Sequence, residues 1–242
     1  MTAMRVITPA AEPAQAAGRT AASAGVGMFA PSGQRAAITA VAGSVNGQRL
    51  IGVPQGSPVV LRDGSAVLIR QVRSTDAALL ADGFARLSAA SRQMRFLGVK
   101  KELSAAELRY FTDVDHHDHE ALGALDLAGG HGVGIARYIR DASDPQAAEI
   151  AVTIVDEWQG RGLGTLLLLQ LTKRARQEGI SRFNALVADG NEAVMALLRR
   201  TSSELRPVRR EMGAMFYHVI PLGEETAAAD AEPAATACTP AA

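Results

Sequence analysis

The sequence predicts an α/β (α+β) fold in which helices flank a mixed, mostly antiparallel sheet. Short stretches of alternating apolar and polar residues are joined by turns rich in glycine, which is typical of antiparallel strands. Longer stretches with apolar residues three or four positions apart begin at capping residues, which is typical of amphipathic helices. The predicted order is a hairpin, two helices, a meander of three strands, and then helix, strand, helix and strand.

A hairpin and two helices open the predicted domain. Asp63-Gly64 separates two apolar runs and predicts a tight type I′ turn, because glycine tolerates the positive φ that this turn requires. The first helix is predicted to follow Ser74, where an apolar stripe of helical period begins. The second helix is predicted to begin at Ser104, because Ser104 and Glu107 have the spacing of a capping box.

Strands and helices alternate in the second half of the domain. The third strand of the meander is EIAVTIV, residues 149–155, in which every second residue is isoleucine or valine and faces the core. A long helix is predicted over residues 165–178, and Gly179 ends it. Another strand follows, and Asn191 is predicted to cap the helix that precedes the last strand.

The composition divides the chain into three predicted parts. Residues 1–57 are rich in alanine, glycine, serine and proline, so they bury too little apolar surface to offset their ordering entropy. We expect them to form a mobile, low-complexity extension. Residues 223–242 predict a disordered tail that is rich in alanine and has an acidic bias. Residues 58–222 remain for one domain with a sizeable core.

Charge and cysteine content exclude several classes of partner. Lysine plus arginine number 25 and aspartate plus glutamate also number 25, so no bulk charge favours nucleic acid or an anionic membrane surface. The only cysteine, Cys238, excludes an internal disulfide framework and fits a reducing cytoplasm. No apolar run approaches the roughly 18 residues of a membrane span. We therefore expect a cytoplasmic protein with no nucleic-acid or membrane partner.

Three glycines, Gly160, Gly162 and Gly164, follow the strand over residues 149–155. A dinucleotide fingerprint is excluded because it requires a glycine or alanine at the position of Thr165. It also requires a strand that opens a parallel unit, whereas this strand leaves an antiparallel meander. A phosphate-binding P-loop is excluded because the chain has no Gly-Lys pair. The remaining interpretation is a helix N-terminus whose main-chain N–H groups bind an anion such as a diphosphate.

The segment QGRGLG, residues 159–164, resembles the Q/R-x-x-G-x-G/A signature of the GNAT superfamily of N-acetyltransferases. The order of elements over about residues 66–220 agrees with that family. The resemblance implies a sheet that is splayed between the family's fourth and fifth strands. It also implies acetyl-CoA as the co-substrate, with its pyrophosphate on the signature and its pantetheine arm along the splayed strand. The residues to which it assigns coenzyme contacts are Ile154, Val155, Gln159, Gly160, Arg161, Gly162, Leu163, Gly164, Thr165 and Asn191.

Three further segments sharpen the resemblance. LSAASRQMRFLG (87–98), LSAAELRYFTDVDHHDHEAL (103–122) and AEIAVTIVDEWQGRGLGT (148–165) are similar to the catalytic domain of actinobacterial protein-lysine acetyltransferases. This similarity implies an amine acceptor that is a protein lysine. Relatives of that kind often carry a fused cyclic-nucleotide domain, but the first 57 residues are too short for one.

Glu149 is the candidate general base. A lysine ammonium has a pKa of about 10.4 and must lose a proton before its nitrogen attacks a thioester directly. The resemblance places Glu149 where many members of the family carry a catalytic glutamate, and a surface ion pair at the strand end is the alternative interpretation. The family's usual acid is a tyrosine about seven residues after the asparagine, and Leu198 occupies that position. An acyl-CoA sensor or interaction module with little turnover therefore stays as the alternative function.

The segment DVDHHDHEAL, residues 113–122, contains residue types that bind metals. Adjacent His116 and His117 are expected to point in opposite directions, and no second segment supplies further ligands. We therefore predict a polar loop near the acceptor groove and no metal site, with His119 as a residue that could assist proton removal.

Overall fold

The computed structural model describes Gly56 and residues 58–211 and 213–221. The predicted mobile extension and the acidic tail lie, apart from Gly56, outside the described residues. Within the described residues one sheet of eight strands is accompanied by five α-helices. The strands are β1 (Pro58–Val60), β2 (Ala66–Gln71), β3 (His119–Asp126), β4 (Gly132–Asp141), β5 (Asp144–Ile154), β6 (Arg182–Ala188), β7 (Ser202–Glu211) and β8 (Ala214–Pro221). The helices are α1 (Ala77–Ala85), α2 (Ala89–Phe96), α3 (Ala105–Thr112), α4 (Leu163–Gln177) and α5 (Glu192–Thr201).

The sheet is mixed and mostly antiparallel, as the sequence predicts. Its strand order is β1-β2-β3-β4-β5-β6-β8-β7. Every neighbouring pair is antiparallel except β5 and β6, which run parallel because α4 crosses over between them. Of the helices in the described part of the chain, none has the length and apolar character that crossing a bilayer requires.

The parallel pair β5 and β6 is splayed. The two strands pair only at their beginnings, where Ala147, Ala148 and Glu149 lie opposite Arg182, Phe183 and Asn184. Beyond this point β6 pairs only with β8, so a gap opens between the two strands. We call it the splayed gap. It confirms the splay that the family resemblance implies.

The two faces of the sheet bury different sets of residues. On one face α4 contributes five leucines to the main core, Leu163, Leu166, Leu167, Leu168 and Leu171. Each fully buried leucine stabilises the fold by about 1.5–3 kcal/mol. On the other face, which we call the α1–α3 face, Phe111 packs on Ala151 of β5 with neighbours that include Phe96. Helix α2 contacts β6 on this side.

Three local features differ from the sequence prediction. Helix α2 was not predicted, because its buried residues are the polar Ser91 and Arg95. Strand β7 was not predicted, because it is an edge strand with mostly exposed side chains. The first hairpin is present, but its loop is longer than a type I′ turn: Gly64 N–H donates to Leu61 O over 3.0 Å, and only Gly64 has a positive φ, of +85°.

Candidate active site

Glu149 lies at the closed end of the splayed gap. It is the last residue of β5 that pairs with β6, and Asn184 is its partner. The same register places Ile139 of β4 opposite Glu149 and His119 of β3 opposite Ile139. Paired residues project from the same face of a sheet, so Glu149, His119 and Asn184 share the α1–α3 face. The Glu149 side chain is half-buried there.

Tyr110 of α3 covers this part of the sheet. Its ring centroid lies 5.3 Å from that of His119. Burial raises the pKa of the Tyr110 hydroxyl, Arg137 opposes the increase, and the negative charge of Glu149 adds to it. The negative charge of Glu149 therefore lies close enough to Tyr110 to affect the pKa of its hydroxyl.

The glycine-rich segment forms a turn that presents the N-terminus of α4. Gly160 has a φ of +76° and Gly162 a φ of +91°, a region that residues with a Cβ rarely adopt. Gly162 is the N-cap of α4, and its carbonyl accepts the first helical bond from Leu166 N–H at 3.1 Å. The N–H groups of residues 163–165 have no acceptor inside the helix, so they point out of its N-terminus. An anion fits this position because the helix dipole favours negative charge there.

Gln159 and Val155 tie this turn to the end of β5. The Gln159 side chain donates from Nε2 to the carbonyl of Ile154 at 3.0 Å. Val155 N–H donates to Val133 O at 3.0 Å, and Val155 O accepts from Trp158 N–H at 2.8 Å. Because N–H directions alternate along a strand, Ile154 N–H points to the opposite edge, towards the splayed gap. Ile154 therefore offers its N–H to the gap, while its carbonyl already accepts from Gln159. Val155 offers only the second lone pair of its carbonyl.

Arginine side chains surround the turn. Arg161 Nη1 lies 2.8 Å from Asp63 Oδ2, and its guanidinium is 4.8 Å from the ring centroid of Trp158. Trp158 is buried in the core. Arg62 also reaches the turn: a Cβ built on Gly162 would lie 3.9 Å from Arg62 Nε. No sequence signal identified Arg62, because the β1–β2 hairpin is distant from the glycines along the chain.

Asn191 caps α5, as predicted. Its Oδ1 accepts a hydrogen bond from Val194 N–H at 3.2 Å, and the residue is buried. Leu198, at the position of the family's tyrosine, is fully buried in the main core. A contact between Asn191 and the coenzyme stays a prediction.

The histidine-rich loop separates into two environments. His116 Nδ1 lies 2.7 Å from Glu120 Oε1, and His117 Nδ1 lies 2.6 Å from Glu178 Oε2 at the end of α4. His119 instead lies on the α1–α3 face with Tyr110. In the described part of the chain, no three histidine, cysteine or acidic side chains are grouped as metal ligands would be.

His119 is poorly suited to remove a proton. Burial and the nearby Arg137 lower its pKa to about 4, so the imidazole is neutral at pH 7. Its Nε2 lies 3.3 Å from Arg137 Nη1. Since a guanidinium only donates hydrogen bonds, Nε2 is the acceptor and the ring proton lies on Nδ1. The basic lone pair of His119 is therefore already occupied.

Similarity to known proteins decides the family. The family model described as acetyltransferase (GNAT) matches residues 88–202. The chain is 38% identical over 139 residues to the acetyltransferase PA5475 of Pseudomonas aeruginosa, which covers 57% of this chain and 74% of that protein. The chain belongs to the GNAT family of acetyltransferases. Members of this family use acetyl-CoA as co-substrate, which confirms the predicted class of enzyme and co-substrate.

Two further similarities support the GNAT assignment. The acetyltransferase Pat of Mycolicibacterium smegmatis is 31% identical over 172 residues, which cover 71% of this chain and 51% of Pat. The chain thus spans about half the length of that relative. The crystal structure of the GNAT domain of S. lividans PAT superposes with a TM-score of 0.62 at 30% identity, covering 68% of this chain and 96% of that domain. The predicted GNAT fold is confirmed.

Proposed function

We propose that this GNAT protein transfers an acetyl group from acetyl-CoA to the side-chain amine of a protein lysine, with Glu149 as general base. The observation that carries the proposal is the position of Glu149, at the last paired residue before β5 and β6 diverge. The N-terminus of α4 follows the far end of the same strand. One strand thus links an anion-binding turn to a carboxylate, as an acyl-CoA dependent transfer requires.

The proposed coenzyme site uses mostly main-chain groups. The N–H groups of residues 160–165 bind the pyrophosphate, and Gln159 supports them through its bond to β5. Ile154 N–H and the carbonyl of Val155 bind the amides of the pantetheine arm. The side-chain amide of Asn191 contacts the same arm while its oxygen caps α5.

Proton transfer and bond making occur at the closed end of the gap. Glu149 removes a proton from the lysine ammonium, directly or through water, and the free amine attacks the thioester carbonyl. A C–N bond forms, the attacking nitrogen releases its second proton to water, the C–S bond breaks, and the coenzyme leaves as a thiolate. A thiol has a pKa near 8.5, so the thiolate can take its proton from water. The leucine at position 198, in place of the family's tyrosine, therefore does not block turnover.

A protein lysine is the proposed acceptor because the segments around the site are similar to those of actinobacterial protein-lysine acetyltransferases. Two of these segments form α2 and α3, which cover the face of the sheet that carries Glu149. The cytoplasmic location and the boundaries of the mobile extension and the tail stay predictions.

A second function is favoured by one observation, the buried Leu198 in place of the family's tyrosine. An acyl-CoA sensor would bind the coenzyme at the same turn without acceptor-dependent turnover.

Calorimetric titration of the full chain with acetyl-CoA, followed by a thiol-release assay with lysine-containing proteins and with small amines, tests the proposal. We expect saturable binding and thiol release that depends on the protein acceptor. Binding without release across the panel would favour the sensor, and release with small amines alone would contradict the lysine acceptor. Absence of binding would contradict both functions.

A further inference from the structure

A cavity of about 100 Å³ lies on the α1–α3 face of the sheet, and we call it the apolar pocket. Thr153 and Val155 of β5 line it. These two residues flank Ile154, the proposed contact of the pantetheine arm, so the pocket begins beside the coenzyme strand. Its walls are mostly apolar and include Leu80, Phe84, Phe96, Leu103 and Phe111.

Arg137 of β4 lines the same pocket and is only 2% exposed. Its Nη2 donates to Phe111 O at 3.2 Å, its Nη1 donates to His119 Nε2 at 3.3 Å, and its guanidinium lies 4.4 Å from the Phe111 ring centroid. Both hydrogen-bond acceptors are neutral, since His119 has its pKa lowered to about 4. Across residues 58–211 and 213–221, no carboxylate lies within salt-bridge distance of Arg137.

A charged group buried without a counter-ion is costly, so proteins usually pair such groups. Burial lowers the pKa of Arg137 to about 10, which leaves it positively charged at pH 7. Arg70, at another wall of the pocket, follows the usual pattern: it bonds both carboxylate oxygens of Asp76, at 2.6 and 2.9 Å. The pocket wall therefore contains Arg70, which is neutralised by Asp76, and Arg137, whose positive charge has no carboxylate partner among the described residues.

A second arginine lies beside the coenzyme strand. Arg95 of α2 lines the pocket, is 5% exposed, and donates from Nε to Thr153 Oγ1 at 3.1 Å. An apolar chain that enters past Thr153 would thus meet guanidinium groups and apolar walls together. A short hydrocarbon chain with a terminal carboxylate complements both, because its methylene groups fit the apolar walls and its carboxylate pairs with a guanidinium.

We propose that the apolar pocket binds the acyl chain of a short dicarboxylic acyl-CoA, with Arg137 holding the terminal carboxylate. The inference rests on the proposed function, because it requires the coenzyme along β5. A cavity of about 100 Å³ exceeds the roughly 10–15 Å³ that a single water molecule requires, so it accepts a few non-hydrogen atoms beyond the thioester. The transfer step itself is unchanged: the C–N bond forms, the C–S bond breaks, and the distal carboxylate does not react.

Binding of CoA thioesters to the full chain tests this inference without requiring turnover. Succinyl-CoA and butyryl-CoA have acyl chains of four carbons and differ in the terminal carboxylate. We expect succinyl-CoA to bind at least about tenfold more tightly than butyryl-CoA in calorimetric titration, because only succinyl-CoA forms hydrogen bonds between two charged groups with Arg137. Arg137→Gln should reduce the ratio of the two dissociation constants to near one. Arg109→Gln, at an exposed position of α3, should leave the ratio unchanged.

A second variant covers the case in which Arg137→Gln does not fold. Leu80→Phe fills part of the pocket and should weaken both four-carbon thioesters relative to acetyl-CoA. Equal affinity for succinyl-CoA and butyryl-CoA in the unmodified protein would overturn the inference. So would competition by free succinate against the amine acceptor instead of the thioester, because the carboxylate would then belong to the acceptor. If the unmodified protein does not bind acetyl-CoA at all, the result would instead contradict the proposed function.

Discussion

Gly162 adopts a left-handed backbone and directs the first N–H groups of α4 out of the turn. An alanine at this position would be strained by about 1–2 kcal/mol. We predict that Gly162→Ala lowers the free energy of unfolding by about that amount and weakens acetyl-CoA binding at least about tenfold. Thermal unfolding and calorimetric titration measure the two effects.

Gly130 is a matched control for Gly162. It has a φ of +70° in the turn between β3 and β4, and a Cβ added there would meet nothing within 4 Å. Gly130→Ala should cost a similar amount of stability and leave acetyl-CoA binding unchanged. Equal acetyl-CoA affinities in the two variants would contradict the assignment of the turn to the pyrophosphate.

His119 should make the stability of the fold depend on pH. Its pKa is lowered from 6.5 to about 4 by burial and by Arg137, so the unfolded chain binds the proton more readily between these values. The stabilisation is complete above pH 6.5 and is lost as the pH falls towards 4. At about 1.4 kcal/mol per pKa unit, the loss is up to about 3 kcal/mol.

We predict that His119→Gln flattens the dependence of the unfolding free energy on pH between 6.5 and 4. Urea unfolding at a series of pH values measures it. His131→Gln is the control, because His131 lies in an exposed turn beside Asp82, 3.1 Å away. The same slope in His119→Gln and in the unmodified protein would contradict the role of His119 burial.

At the level of elements, Asp156 anchors α2 over the splayed gap. Its carboxylate accepts hydrogen bonds from Ser88 N–H at 2.9 Å, from Ser88 Oγ at 2.8 Å and from Ser91 Oγ at 2.8 Å. Burial acts to raise the pKa of Asp156, but these bonds hold it below its usual value. The carboxylate thus connects the start of α2 to the segment that follows β5.

We predict that Asp156→Ala lowers the free energy of unfolding by about 1.5–3 kcal/mol, since hydrogen bonds to a charged group are lost. Hydrogen exchange should accelerate mainly in residues 89–96. Glu157→Ala is the control, because Glu157 is 71% exposed and, within the described part of the chain, pairs only with Arg86 at 3.3 Å. Unchanged exchange in α2 of the Asp156 variant would show that another contact holds the helix.

Local signals of known physical origin predicted most elements correctly. The capping box of Ser104 and Glu107 starts α3 as expected, since both reciprocal hydrogen bonds are present. Helix α4 begins at Leu163, two residues before the predicted start, because Gly162 itself serves as the N-cap.

Other features depend on tertiary contacts that one sequence does not display. Helix α2 turns Ser91 and Arg95 inwards, against the usual polarity, because Asp156 and Thr153 supply their partners. Arg137 could not be identified as a pocket residue, because its burial depends on Phe111 of a distant helix.

For the molecule as a whole, the splayed sheet brings the two halves of the proposed site together. Strand β5 pairs with β6 up to Glu149, and its remaining edge towards the gap is not paired with β6. The turn after β5 reverses the direction of the chain and leads into α4. The leucines of α4 pack in the core against the sheet and hold the helix there. The proposed acetyl transfer therefore depends on Glu149, the carboxylate at the closed end of the gap, as the group that removes the proton of the acceptor amine.

The most direct measurement is the rate of acceptor-dependent thiol release by Glu149→Gln as a function of pH, beside calorimetric titration with acetyl-CoA. We predict that kcat at pH 7 falls by about 10²–10⁴, while the dissociation constant of acetyl-CoA stays within about twofold. The rate should recover as the pH approaches the lysine pKa of about 10.4, where the acceptor deprotonates without a base. Glu102→Gln, at an exposed position, should match the unmodified protein. An unchanged kcat in Glu149→Gln would contradict the account.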